Sequence, residues 1–335
     1  MCAARRRRRV DADDDRRDEV AHRSEHAVAG RRVFELGCEA AYRRWRDAKL
    51  AAYPDTLHAL TVEVSNLAAP TPAETQATLV ACRRSNMCLY RTRGNDSGDP
   101  AAARRALAAF ARHFGLLRLE ARRPTEGDGI IALEAVAAGR GPAYIPYTNR
   151  SLGWHTDGYY AYAGPGRMIR SMLLHCIRSA REGGANRLLD HEIAYIRLRD
   201  EDPGYIAALA HPEAMTVPAN EEADEGVRPE NTGPVFVVDP KDGTLAMRYS
   251  ARKRNIRWRD DEATRSAARA LERVLDGDPL VFRATLGPGE GLICNNVLHD
   301  RTGFERSAEA QGGRLLFRMR SYDRVGTAGA AADAA

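Results

Sequence analysis

Val33, Leu36, Ala40, Ala41, Trp45 and Leu50 recur at helical spacing and predict a helix over residues 33–50. Leu57 to Val64 then alternates as a strand does. Thr71-Pro72-Ala73-Glu74 is a capping box with proline at the first helical position, so a helix should run to about Arg84. Asn86 to Arg91 reads as a short strand. Asp99-Pro100 caps another helix, with Leu107, Phe110 and Phe114 on its apolar face and Gly115 as its stop.

Beyond this point short strands prevail. Met168 to Ile177 is apolar enough for a buried strand, and Leu188 to Ala210 reads as helix interrupted at Asp202-Pro203-Gly204. Val235 to Val238 and Thr244 to Tyr249 flank the turn Pro240-Lys241-Asp242-Gly243, a hairpin signal. Asp260 to Leu275 is an amphipathic helix. Leu280 to Leu286, Gly291 to Leu298 and Arg314 to Tyr322 close the chain as three strands. Helices early and many short strands later predict a mainly β fold with flanking helices, a sandwich or jelly roll. The division expected is a charged, unfolded segment at residues 1–30, one domain at 31–325 and a small-residue tail at 326–335.

Composition changes this picture little. Hydrophobic residues make up 44% of the 335 and charged residues 29%, which suits a globular protein. No apolar run approaches the roughly 20 residues that cross a bilayer, and the basic start lacks the apolar stretch of a secretory leader. A cytoplasmic location without membrane partners is the expectation. The six cysteines are scattered, which argues against a thiolate-bound zinc or iron–sulfur cluster. The run Arg5 to Arg9 invites a nucleic-acid reading, but no basic or aromatic stripe continues it, so a solvated tail and no nucleic-acid partner are expected.

Chemistry enters at Trp154-His155-Thr156-Asp157. On a strand, residues i and i+2 point the same way, so His-x-Asp can offer an imidazole and a carboxylate together. A non-haem iron site needs two imidazoles and one carboxylate on one face of the metal. His299 can supply the third ligand. The pair alone is weak: nine histidines and 46 acidic residues in 335 yield about one such match by chance, and His211-Pro212-Glu213 is a second. A histidine merely packed beside Trp154 and tied to Asp157 fits the spacing equally. The segment Arg314-Leu315-Leu316-Phe317-Arg318-Met319-Arg320 adds weight, because it sets three arginines on one strand face. Buried guanidinium is costly unless a carboxylate meets it, and its planar fork suits the distal carboxylate of 2-oxoglutarate.

These segments carry a resemblance. Trp154-His155-Thr156-Asp157, Glu182-Gly183-Gly184, Leu286-Gly287-Pro288-Gly289-Glu290-Gly291 and Asn295-Asn296-Val297-Leu298-His299-Asp300-Arg301-Thr302-Gly303-Phe304, followed by the arginine strand, resemble the taurine dioxygenase-like (clavaminate synthase-like) iron and 2-oxoglutarate oxygenases. Phe110-Ala111-Arg112-His113-Phe114-Gly115 is similar to the helix end that precedes their core. The likeness covers residues 55 to 323 in segments.

The resemblance implies a double-stranded β-helix, or jelly roll, with Fe(II) held by His155, Asp157 and His299, and with 2-oxoglutarate and O2 as cosubstrates. It implies that Arg314 and Arg318 match the family's Arg-x-x-x-Arg pair, with Arg320 as a competitor for the cosubstrate. Where the family has threonine or serine after the paired glycines, this chain has Ala185-Asn186, so Asn186 is the candidate there. The carboxylate of Asp157 implies hydroxylation or a related oxidation rather than halogenation. A small anion is expected as substrate (a carboxylate, a sulfonate or an amino acid), with Arg252, Lys253 and Arg254 as further cations near the site. Arg320, Tyr159 and Asn149 are the candidate substrate contacts, and assembly into a homo-oligomer is left open. Two other classes compete: a zinc-dependent hydrolase with the same ligands, and a non-catalytic jelly-roll binding protein.

Overall fold

Thr71 and Glu74 close the reciprocal cap that the sequence announces: Thr71 Oγ1 accepts from Glu74 N, and the Glu74 carboxylate accepts from Thr71 N. This is seen in a computed structural model of the chain, which describes residues 30–92, 99–120, 127–134, 148–220, 228–252, 256–305 and 313–326. The charged segment at 1–29 lies outside the described residues, as do Lys253, Arg254 and most of the tail.

The helices are α1 (Glu39–Ala52), α2 (Pro72–Ser85), α3 (Pro100–His113), α4 (His191–Glu201), α5 (Pro203–Leu209) and α6 (Glu262–Gly277). The strands in chain order are β1 (Thr61–Val64), β2 (Met87–Thr92), β3 (Ile130–Glu134), β4 (Leu152–His155), β5 (Ser171–Arg178), β6 (Asn186–Leu189), β7 (Met215–Val217) and β8 (Asn231–Gly233). They continue with β9 (Phe236–Val238), β10 (Leu245–Met247), β11 (Arg257–Trp258), β12 (Phe282–Ala284), β13 (Glu290–Cys294), β14 (Leu298–Arg301) and β15 (Leu315–Ser321). Among the described residues, no helix is long and apolar enough to cross a membrane.

Two sheets make the frame. The larger runs β1-β2-β13-β5-β15-β3, and the smaller runs β12-β6-β14-β4. The β1–α2–β2 unit opens the large sheet as a parallel pair, while β13, β5 and β15 pair antiparallel. Alternation along β5 explains why that strand is apolar throughout. Met172, Leu174 and Cys176 face the smaller sheet, and Leu173 and Ile177 face the layer of α2 and α3. Gly291 is required where β13 crosses Tyr90: an added Cβ would lie 2.1 Å from Tyr90 Cζ and 2.4 Å from the Leu174 carbonyl oxygen.

Some sequence expectations need correction. The helix expected over 33–50 is interrupted: residues 30–34 are helical, Leu36 and Gly37 form an exposed turn, and α1 begins only at Glu39. His58–Leu60 is a short 3-10 turn, so the strand there begins at Thr61. Leu188 and Leu189 belong to strand β6 and not to the helix that follows; Asp190 caps that helix by accepting from Glu192 N. The strand expected at 291–298 ends at Cys294. Asn295, Asn296 and Val297 carry the chain from the large sheet to the small one, where β14 begins. His211 lies in the turn after α5, so the second His-x-acid match is not on a sheet.

Candidate active site

The pairing of β14 with β4 brings the two histidines together. His299 stands opposite His155 in the antiparallel register, and their ring centroids are 4.2 Å apart. Asp157 follows β4 by two residues, its carboxylate Oδ1 lying 3.9 Å from His155 Nε2. One ligand atom from each of His155, Asp157 and His299 lies within 4.8 Å of the others, and all three side chains are buried.

The donor chemistry fits a divalent metal. His155 Nδ1 is 2.9 Å from the Gly153 carbonyl and His299 Nδ1 is 3.0 Å from the Val297 carbonyl. A carbonyl only accepts, so each Nδ1 carries the proton and each Nε2 offers its lone pair. Burial, with His299 beside it, holds His155 well below the usual imidazole range and therefore neutral. Burial alone would raise Asp157, but Arg318 and Arg320, then the two histidines, more than offset it and hold the carboxyl well below the carboxylate range. Its Oδ2 is buried without a hydrogen-bond partner, an orphaned anion acceptor beside two bare nitrogens. Three such ligands on one side match the arrangement that iron(II) takes in oxygenases.

Asp157 is fixed through its backbone. Asn296 Oδ1 accepts from Asp157 N at 2.8 Å, and Asn296 Nδ2 donates to the carbonyls of Asp157 and Ile169. Beside His299, Asp300 accepts from Arg187 N and Nε, and its carbonyl accepts from Asn186 Nδ2 at 2.8 Å.

A small, partly open cavity runs from the two imidazoles to Arg314. Leu133, Leu152, Met172, Leu174 and Leu316 give it apolar walls, and Asn186, Arg301 and Arg318 also line it. Arg314, just ahead of β15, and Arg318 and Arg320 on it are all buried, but their partners differ. Arg318 donates to Asp157 Oδ1 at 3.3 Å. Arg320 pairs with Glu120, donates to the Tyr160 hydroxyl at 3.0 Å and lies 3.7 Å from Asp157 Oδ1. Arg314 has neither hydrogen bond nor ion pair among the described residues, although it is only 8% exposed; its guanidinium lies over Phe304. Burial pulls its pKa below the usual value, as expected of a cation without a counterion.

The expected substrate contacts lie at different places around the site. Tyr159 is buried beside Asp157 with Thr156, Met168 and Met247, and it is the Tyr160 hydroxyl that meets Arg320. Asn149 accepts from Phe304 N through its carbonyl and does not line the cavity. Arg252 is close enough to lower the His155 pKa. The position of Tyr160 just after the ligand pair marks it as a candidate pocket residue, but the contacts of Glu120, Tyr160 and Phe304 with the arginines are not legible in the sequence. Each of the three meets its arginine only across the fold.

Comparison with known proteins adds the family. The model of the taurine catabolism dioxygenase TauD, TfdA family matches residues 98–320. A uridine-5'-phosphate dioxygenase of Streptomyces sp is 32% identical over 232 residues, covering 65% of this chain and 79% of the relative. One from Amycolatopsis sp is 30% identical over 171 residues, covering 47% of this chain; the chain spans little more than half of that relative, 57%. Among solved structures, an asparagine oxygenase complexed with Fe(II), 3-hydroxyasparagine and succinate superposes with a TM-score of 0.54 at 16% identity, covering 80% of this chain and 94% of that one. The non-heme iron oxygenase OrfP with Fe and alpha-ketoglutaric acid gives 0.55 at 17% identity, covering 78% and 94%. These likenesses show the double-stranded β-helix fold, and the hydrolase and binding-protein readings give way to the family match. The chain belongs to the taurine catabolism dioxygenase TauD, TfdA family and is an iron(II)- and 2-oxoglutarate-dependent dioxygenase.

Proposed function

We propose that this enzyme hydroxylates a C–H bond of a small anionic molecule, with His155, Asp157 and His299 holding iron(II) and Arg314 holding the distal carboxylate of 2-oxoglutarate. The observation that carries the reading is the buried, unpartnered guanidinium of Arg314 at one end of a cavity that has two bare imidazole nitrogens at the other. Bound there, iron(II) with 2-oxoglutarate and dioxygen supplies the oxidising chemistry, which releases succinate and CO2.

The protein's part is geometric and electrostatic. The Phe304 ring, 5.1 Å from the Arg314 guanidinium, backs that cation where it lines the cavity. Leucine and methionine walls exclude water and strengthen the contact between Arg314 and an incoming carboxylate. Asn186 uses one amide hydrogen on the Asp300 carbonyl and can offer the other to the cosubstrate. Arg318 keeps Asp157 ionised, so that its carboxylate is available to the metal at neutral pH. The two relatives named uridine-5'-phosphate dioxygenase make uridine 5'-phosphate the first substrate to try, ahead of sulfonates and amino acids. The test is succinate release from the iron-loaded enzyme supplied with 2-oxoglutarate and each anion in turn. Stimulation by an anion, and none by its neutral analogue, is the expected result; equal background release with every compound would contradict the substrate class.

A further inference from the structure

Outside the cavity that joins the imidazoles to Arg314, a second set of cations gathers around one ring. Tyr160 lies three residues beyond Asp157, its hydroxyl accepting from Arg320 Nη1. The guanidiniums of Arg228 and Arg320 stand 5.5 and 6.0 Å from the Tyr160 ring centroid. Arg228 arrives from a remote part of the chain, ahead of β8. Its backbone is pinned to Asn220 by hydrogen bonds of 2.9 and 3.1 Å, and its Nη2 donates to the Pro218 carbonyl at 3.0 Å. Its Nη1 is shielded from solvent and has no hydrogen-bond partner, and no described carboxylate pairs with Arg228. A sheltered guanidinium with idle donors beside a second arginine is costly unless an anion joins it.

The charges around Tyr160 point to the kind of anion. Arg318, Arg320 and Arg228 are set against Asp157 and Glu120, and Asp157 would be shared with the metal. The cosubstrate, a dianion, would offset the metal's charge and be met by Arg314. Among the described residues, positive charge thus remains in surplus beside Tyr160 in the loaded site. A carboxylate or sulfonate brings a single charge, whereas a phosphate monoester brings about −1.5 to −2 and three acceptor oxygens. Arginine forks suit those oxygens in pairs.

We propose that Arg228, with Arg320 and Tyr160, receives the phosphate group of a phosphate-monoester substrate. The inference rests on the oxygenase reading of the adjoining triad. It is tested on wild type, Arg228→Gln and Arg228→Lys, each loaded anaerobically with Fe(II) and 2-oxoglutarate. Every sample is titrated with uridine 5'-phosphate, uridine and inorganic phosphate while the visible band of the ferrous chelate is followed. Uridine 5'-phosphate should perturb the wild-type band at far lower concentration than uridine. Arg228→Gln should weaken uridine 5'-phosphate roughly 10- to 100-fold, the span of a lost charge-assisted pair, and leave the uridine and 2-oxoglutarate titrations unmoved. Arg228→Lys should recover part of the loss. The inference is overturned if the wild-type band forms but neither uridine 5'-phosphate nor inorganic phosphate binds, or if Arg228→Gln weakens uridine and its phosphate alike. A wild type that forms no band fails at the oxygenase reading itself, and the inference falls with it.

Discussion

Asn296 shows how one side chain can set a metal ligand that it does not touch through a side chain. It adopts a left-handed backbone, φ 51°, which asparagine tolerates better than most residues. Both ends of its amide are spent on the backbone around Asp157 and Ile169. Asn296→Ala would leave a buried N–H and two carbonyls without this partner, at about 1–3 kcal/mol of stability. Loss of such support around a ligand typically weakens metal binding about 10- to 100-fold. Urea unfolding and anaerobic Fe(II) titration check both numbers. Asn296→Gly, which relieves the backbone but not the lost bonds, should bind iron as poorly as the alanine variant. Full iron affinity in the glycine variant would show that the clamp is unnecessary. The sequence displayed Asn296 inside a recognisable motif, but its partner lies 139 residues away, so its task could not be read from local pattern.

At the scale of elements, legibility followed period and punctuation. The capping box of α2 and the Asp-Pro start of α3 were readable because caps are local chemistry: Asp99 accepts from Ala101 N as expected. The arginine stripe of β15 was readable because a period of two survives in any pleated strand, and Arg318 and Arg320 do face Asp157. The short elements were not. Leu188 and Leu189 run into the apolar residues of α4, and a four-residue strand has too few positions to reveal its period. The crossover at Asn295–Val297 lacks glycine or proline, so the strand that ends at Cys294 reads as running on to Leu298. That crossover decides the chemistry, since it moves His299 onto the sheet that carries His155. The choice among Arg314, Arg318 and Arg320 also lay beyond the sequence, because it depends on Glu120, Tyr160 and Phe304, which only the fold supplies.

For the molecule as a whole, burial of neutral histidines ties stability to pH. His175 sits on β5 between β13 and β15, its ring stacked against Tyr90, and burial pulls its imidazole down to about 4 from the usual 6.5. Its folded pKa is depressed, so the unfolded chain takes up the proton first, and stability falls as pH drops from 6.5 towards 4. A shift of this size corresponds to about 3 kcal/mol by pH 4. Burial also lowers His155 and His191, which add to the loss with the same sign. Urea unfolding of wild type and His175→Phe at pH 7.5 and 4.5 should therefore show a smaller acid loss in the variant. An identical loss in both would contradict the assignment to His175.

The central claim, that the triad and Arg314 together hold iron and 2-oxoglutarate, is tested most directly by one anaerobic titration. Purified apoprotein, His155→Ala and Arg314→Ala are each given Fe(II) and then 2-oxoglutarate, and the visible charge-transfer band of the ferrous chelate is recorded. The expected result is a band in wild type, none in His155→Ala, and in Arg314→Ala a band that demands roughly 10- to 100-fold more 2-oxoglutarate, the span for losing a charge-assisted pair. A wild type that forms no band and does not bind 2-oxoglutarate, or an Arg314→Ala that titrates like wild type, would contradict it.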